Sequence, residues 1–251
     1  ELGRYARQYW TQQRRFPLEI AEEFQIGIAP AQDTELLGLL QKKNVSPQAL
    51  LQCGLFFGKD VRRLRPFFKG RLIIPIRDIQ GSTVAFTARK LDITPEDDLP
   101  GKYINTAETP IFKKKQLLFN LDRAKKAIGK SRERFVLVEG QLDAIRCWQA
   151  GLQTAIAPQG TALTVEQLKR LSHYGGRVDV LLDGDEAGAR AAAKALALSL
   201  EAGLEPRFIT LAPGCDPDDL LAQGGLEAFA ALEKDAKAAM PMAVDLYLPH
   251  G

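Results

Sequence analysis

Three apolar runs in the second half of this chain each end on acidic residues. Phe135-Val136-Leu137-Val138 leads into Glu139-Gly140, with Asp143 just beyond. Val178-Asp179-Val180-Leu181-Leu182 leads into Asp183-Gly184-Asp185. Phe208-Ile209-Thr210-Leu211 leads to Gly214 and then Asp216-Pro217-Asp218-Asp219. Between these runs the period changes to that of helices. The pattern predicts a strand over 135–138, a helix over 141–150 stopped by Gly151, and a strand over 154–157. A helix then opens at the capping box of Thr164 and Gln167. A strand over 178–182, an Ala-rich helix over 186–202 ended by Gly203, a strand over 207–211 and a short helix from Pro217 follow. Such alternation predicts a mainly parallel sheet with helices on both faces. Ligands of open α/β sheets bind at the carboxyl ends of the strands. All three acidic clusters fall at that edge.

Carboxylates gathered on one edge repel one another unless a cation holds them together. Hard oxygen donors without clustered His or Cys point to Mg²⁺ or Mn²⁺. The expected chemistry is metal-dependent phosphoryl or nucleotidyl transfer. The simpler alternative is turn and cap chemistry, which Asp also favours. It accounts for single clusters better than for three in matching positions. Asp143 in a helix first turn complements the helix dipole whatever its function, and Asp179 inside a strand reads as structural. Cys215 reads as a small turn or buried residue rather than a metal ligand.

The rest of the chain narrows the class. At 251 residues and 45% hydrophobic content it can bury a core in one domain or two packed ones. No apolar run reaches the ~18 residues of a membrane span, and Glu1-Leu2-Gly3-Arg4-Tyr5 lacks a signal-peptide core. The missing initiating Met suggests a piece of a longer protein. Cys53, Cys147 and Cys215 are far apart and odd in number, which suits a reducing cytoplasm. With only His173 and His250, a zinc enzyme or His-activated nucleophile is not expected. The net charge of +3 is unevenly spread: residues 59–134 hold 19 basic and 9 acidic residues, whereas residues 135–251 hold 9 and 16. A basic middle beside an acidic end suits an enzyme acting on polyanions.

Helical spacing covers residues 5–24, 33–43 and 47–53, the last opened by Ser46-Pro47. From Gly70 the period becomes that of strands, over 71–77 and 82–89, with a turn at Asp78-Ile79-Gln80-Gly81. Residues 92–101 read as an exposed loop and 120–128 as a helix, followed by the basic linker 130–134. The fold class is therefore α/β, with a mixed α+β amino-terminal part before the parallel sheet.

Glu139-Gly140 with Asp143, Asp183-Gly184-Asp185 and Asp216-Pro217-Asp218 together resemble the TOPRIM domain. Upstream, Phe68-Lys69-Gly70-Arg71-Leu72-Ile73-Ile74-Pro75-Ile76-Arg77-Asp78 and Gly101-Lys102-Tyr103-Ile104-Asn105-Thr106-Ala107-Glu108-Thr109-Pro110-Ile111-Phe112-Lys113-Lys114 resemble the RNA-polymerase domain of bacterial DnaG-type primases. The resemblance covers almost the whole chain in the right order. Gln141-Leu142 stands where that family usually has an aromatic-Met pair, and Thr87-Ala88-Arg89 where it often has Gly-Gly-Arg. The family's amino-terminal zinc module and carboxy-terminal helicase-interaction module are missing, so no zinc is expected.

The resemblance implies three segments. Residues 1–132 are a basic α+β subdomain for template and nucleotide approach, residues 133–225 a metal-binding catalytic TOPRIM domain, and residues 226–251 the start of a helical subdomain. It implies a cytoplasmic, monomeric primase core that copies single-stranded DNA into RNA primers from NTPs. The replicative helicase would be engaged through a module outside this chain. Two or more Mg²⁺ or Mn²⁺ ions would be held by Glu139, Asp143, Asp183, Asp185, Asp216 and Asp218. Catalysis would rest on Glu139, Asp183 and Asp185, with Glu139 as general base or bridging ligand; neighbouring carboxylates raise such a pKa. Lys69, Arg71, Arg89, Lys102 and Lys114 would line the template and nucleotide path, with Tyr103 as an aromatic platform and Asn105 as a hydrogen-bonding amide. A TOPRIM nuclease and a DNA-binding mediator without turnover share parts of this pattern. The segment around Lys102-Tyr103-Ile104-Asn105 separates the primase from the nuclease, and retention of all three acidic clusters separates it from the mediator. No tyrosine lies in a later catalytic domain of the topoisomerase kind, and no Gly-rich lysine loop of a motor ATPase occurs.

Overall fold

Leu72, Ile74 and Ile76 alternate along β4 and are buried together on one of its faces. A computed structural model describes residues 1–95, 99, 101–160 and 163–247, so part of the expected 92–101 loop lies outside the described residues. The chain divides into two compact units, one of residues 1–77 and 82–113, the other of residues 78–81 and 114–251.

In the first unit, α1 (Leu2–Gln8) passes into a π-helical turn, Tyr9–Gln13, and α2 (Leu18–Glu23) follows. The single helix expected over 5–24 is thus broken. Pro17 has no N–H and disfavours helical backbone at Phe16, and Arg15 sits at φ +52°. The break lets Trp10 and Phe16 stack in the core at 4.5 Å. Next come β1 (Gly27–Ile28), α3 (Asp33–Lys42), α4 (Pro47–Gln52), β2 (Phe56–Phe57), β3 (Arg65–Pro66), β4 (Leu72–Arg77), β5 (Thr83–Arg89) and β6 (Tyr103–Asn105). Ser46 caps α4 from its hydroxyl, as expected. The strands β1-β4-β5-β6 form an antiparallel sheet, with Ile74 opposite Thr87 and Leu72 opposite Arg89. One of its faces packs Ala88, Ile73, Phe86 and Ile104 against Phe68 and Ala29.

The second unit holds β7 (Leu118–Phe119), α5 (Leu121–Ala127), β8 (Phe135–Leu137), α6 (Gln141–Gln149), β9 (Ala155–Pro158), α7 (Val165–Ser172), β10 (Arg177–Leu181), α8 (Glu186–Glu201), β11 (Glu205–Ile209), α9 (Pro217–Lys234), β12 (Lys237–Ala238) and α10 (Ala239–Tyr247). Its six-stranded sheet runs β12-β11-β10-β8-β9-β7. The four central strands are parallel and the short edge strands antiparallel. Phe135, Leu137, Val178, Val180 and Phe208 pack with Leu168 and Leu171 of α7 and Ala192, Ala195 and Leu196 of α8. Helices α6 and α9 pack on each other. Compactness divides the chain at 113/114, earlier than the 132/133 boundary read from the sequence. Leu118, Leu121 and Ala124 belong to the second core, and the Asn120 amide donates to the Ala155 carbonyl at 2.9 Å. The short helix from Pro217 and the helical stretch from 226 form one α9, interrupted by Gly225 at φ +57°.

Asp179 is structural, as its place in a strand suggested. It is fully buried and paired with Arg132, Arg134 and Arg207, and Glu233 joins through Arg132 and Arg207. Among the described residues, no helix is long and apolar enough to cross a membrane.

Candidate active site

Parallel strands with short exits bring the acidic clusters together. Glu139 lies two residues past the end of β8 and Asp183 two residues past the end of β10, which pairs with β8. The Asp183 N–H donates to Glu139 Oε1 at 3.4 Å. The chain then turns at Gly184, whose N–H donates to the Cys215 carbonyl at 3.0 Å, while Gly214 donates to the Gly184 carbonyl at 3.3 Å. A Cβ at Gly184 would lie 2.1 Å from the Ala212 carbonyl oxygen, and one at Gly188 would lie 2.0 Å from that of Asp183. Only glycine permits either approach. Cys215 itself is an exposed turn residue.

Three carboxylates sit at helix N-termini. Asp185 caps α8 by accepting from Gly188 N–H at 2.7 Å, and Asp216 caps α9 from Asp219 N–H at 2.6 Å. Asp143, in the first turn of α6, accepts from Gly140 N–H at 2.9 Å. The capping alternative is therefore true of each residue, and it holds each one at the edge. Asp218, in the first turn of α9, is paired with Arg146 of α6.

The electrostatics show uncompensated charge. Burial, then Glu139, Asp143, Asp216 and Asp185, push the Asp183 carboxyl up from 3.8 to about 7. Burial also raises Asp143 to about 6, against the Gly140 N–H, with Asp216, Asp218 and Glu139 adding to the rise. Two carboxyls raised by burial and by neighbouring carboxylates at one strand edge are an environment that favours a positive ligand. The donors are carboxylate oxygens, which suit a hard divalent cation. Among the described residues, no three His, Cys, Asp or Glu side chains form a ready metal cage. The fit is one of donor type and charge.

The expected polyanion contacts are spread over both units. In the first, Thr87 pairs with Asn105 and Arg89 with Tyr103 on one face of the β5–β6 ladder. The Thr87 hydroxyl donates to Asn105 Oδ1 at 2.6 Å, and Arg89 donates to the Tyr103 hydroxyl at 2.5 Å. The Arg89 guanidinium lies 4.7 Å from the Tyr9 ring centre and 5.0 Å from that of Tyr103. Arg14 donates to Tyr9 at 2.7 Å. Tyr9 and Arg14 are the members missed in the sequence, hidden inside the helical stretch. Aromatic residues interleaved with arginines over 9–15 were the available signal. Lys102 is exposed and Lys69 half-buried. Arg71 needs correction as a path residue: it is fully buried and donates to the Gly101 and Leu99 carbonyls at 3.2 Å. Its role is to hold that loop. Lys114 falls in the second unit, where its carbonyl accepts from Gln167 at 3.2 Å.

Comparison with known proteins places this arrangement. The family described as "DNA primase catalytic core, N-terminal domain" matches residues 1–125, and the family described as "Toprim-like" matches residues 136–221. The RNA polymerase domain of Mycobacterium tuberculosis primase DnaG superposes with a TM-score of 0.87 at 31% identity, covering 98% of this chain and 81% of that one. The chain belongs to the DnaG-type DNA primase catalytic cores. A DnaG primase catalytic domain bound to ssDNA matches at a TM-score of 0.82 and 30% identity, over 97% of this chain and 75% of that one. The DNA primase of Enterococcus faecalis is 35% identical over 235 residues, which are 92% of this chain and 37% of that protein. This primase-type core thus spans little more than a third of that relative's length. Its family membership implies use of divalent metal in general.

Proposed function

We propose that this chain carries out primase chemistry, the template-directed joining of ribonucleotides into short RNA primers on single-stranded DNA. The observation that carries this reading is the convergence of Glu139, Asp143, Asp183, Asp185 and Asp216 on one sheet edge, in a chain that primase-family matches cover nearly end to end. Glu139, Asp183, Asp185 and Asp216 would hold the cations, Mg²⁺ or Mn²⁺, with Asp143 beside them. When bound, a cation pair lowers the pKa of an attacking 3′-hydroxyl and spreads the charge on the α-phosphate and departing pyrophosphate. The chain's own contribution is positioning. Gly184 locks the Asp183 loop to the Asp216 loop, and the helix caps fix Asp143, Asp185 and Asp216 at the edge. Glu139 would accept a proton or bridge to the reacting centre.

The first 132 residues, in this reading, supply the template and nucleotide approach through Lys69, Arg89, Lys102, Tyr103 and Asn105, with Tyr9 and Arg14 supporting Arg89. Lys114, in the second unit, is a further template- or nucleotide-binding residue. Residues 133–225 are the catalytic segment and 226–251 the start of a helical one. The core works as a monomer in the bacterial cytoplasm, at the nucleoid during replication, and the helicase contact belongs to another module. The test is extension of a labelled primer on a single-stranded template with NTPs and Mg²⁺ or Mn²⁺. Metal-dependent growth that chelator stops supports the reading. Metal-dependent shortening of the labelled strand, with no growth, replaces it with a nuclease.

A further inference from the structure

Arg146 is the only arginine on α6, and it is 4% exposed. Its Nε donates to Asp218 Oδ1 at 2.5 Å, and its Nη1 to Gln149 Oε1 at 2.7 Å. It lies one turn after Asp143 on α6, and Asp218 lies two residues after Asp216, the cap of α9. The ion pair therefore joins the last turn of α6 to the first turn of α9, the two helices that bring Asp143 and Asp216 to the edge.

A guanidinium cannot shed its proton in a protein. For Asp218 to ligate a cation it would have to leave Arg146, stranding a buried positive charge beside an incoming divalent one. Charge and burial both oppose that exchange. We propose that Arg146 withdraws Asp218 from the cation-binding set. The six-carboxylate set read from the motifs is thus divided into cation ligands and one arginine-bound anchor. The inference rests on the reading of the carboxylate edge as a divalent-cation site.

The experiment counts bound Mn²⁺ by electron paramagnetic resonance on the 251-residue chain, without nucleotide, in wild type, D218N, R146M, R146M/D218N and D183N. R146M/D218N, which removes both charges of the pair, is expected to keep the wild-type ion number, with affinity within about twofold, because a matched pair adds little field. R146M uncovers Asp218, and the expected result is an added ion or roughly fivefold tighter binding, since a like charge is removed. That gain should vanish in R146M/D218N. A loss of an ion, or of roughly tenfold in affinity, in R146M/D218N, the scale of losing a metal-supporting group, overturns the proposal. So does a folded R146M that binds Mn²⁺ as wild type does. Should R146M lack native circular dichroism, the ion number of D218N decides: the wild-type number supports the proposal and an ion lost overturns it. D183N separates the two levels of the argument. If it too binds Mn²⁺ like wild type, the cation site is elsewhere and the parent reading has failed. If it loses Mn²⁺, the parent reading stands and R146M/D218N tests the division.

Discussion

The N–H of Gly184 donates to the carbonyl of Cys215 at 3.0 Å, so the loop bearing Asp183 is tied to the loop bearing Asp216 through a residue with no side chain. A methyl group there would meet the Ala212 carbonyl oxygen at 2.1 Å, a backbone atom with little freedom to yield. Gly184→Ala is expected to cost about 1–3 kcal/mol, the usual range for overpacking. It should reduce metal-dependent synthesis more than metal-independent template binding. Thermal unfolding with an extension assay checks both. An unchanged melting temperature would show that the 211–215 loop moves away freely.

Asp183 is half-buried, and its burial and four neighbouring carboxylates push its carboxyl up to about 7. Removing its charge relieves repulsion in the metal-free protein. Asp183→Asn should therefore raise the melting temperature in chelator at pH 8, and abolish primer extension when Mg²⁺ or Mn²⁺ is present. Divalent cation should stabilise wild type more than the variant. Full extension activity in Asp183→Asn would remove this residue from the mechanism.

Asp179 gives a pH dependence of opposite origin. Burial alone would raise its carboxyl, but the hydrogen bond from Arg207 and the charges of Arg132 and Arg134 outweigh burial and hold it below 3.8. The folded state therefore binds this proton more weakly than the unfolded chain does. The resulting stability is present in full above the ordinary value and is lost as pH falls through the folded one. Asp179→Asn should cost roughly 3 kcal/mol at pH 7, because it leaves three arginines without their shared partner. Its deficit should shrink below about pH 4 in denaturant titrations. A deficit constant from pH 7 to pH 3 would mean that packing, not charge, explains it.

The sheet and its acidic edge were legible because both are local signals. Continuous apolar runs mark buried strands, and Glu139, Asp183 and Asp216 follow them within a few residues. The long initial helix was misread because helical spacing of apolar groups persists across Pro17, although the backbone cannot follow it. Edge strands β7 and β12 are two residues each, too short to show a period. Charge counting also could not tell that Arg71 is buried while Lys102 is exposed. The Arg146–Asp218 pair spans 72 positions and the Arg89–Tyr9 contact 80, and such long-range pairings leave no trace in spacing.

That difference between Arg71 and Lys102 separates two roles for basic residues in the first unit. Arg71→Ala removes the donor to Gly101 and Leu99 from a fully buried position, so stability should fall by about 1–3 kcal/mol. Lys102→Ala touches an exposed side chain, so stability should stay within about 0.5 kcal/mol. Single-stranded DNA affinity should instead weaken, and the salt slope should drop by about one if Lys102 neutralises one phosphate. Arg89→Ala combines both effects, because its guanidinium lies between the Tyr9 and Tyr103 rings. Anisotropy titrations of a labelled single strand at several salt concentrations, with thermal unfolding of each variant, give the full comparison. A Lys102→Ala protein with unaltered salt slope, beside an Arg71→Ala protein of full stability, would reverse the assignment of the two residues.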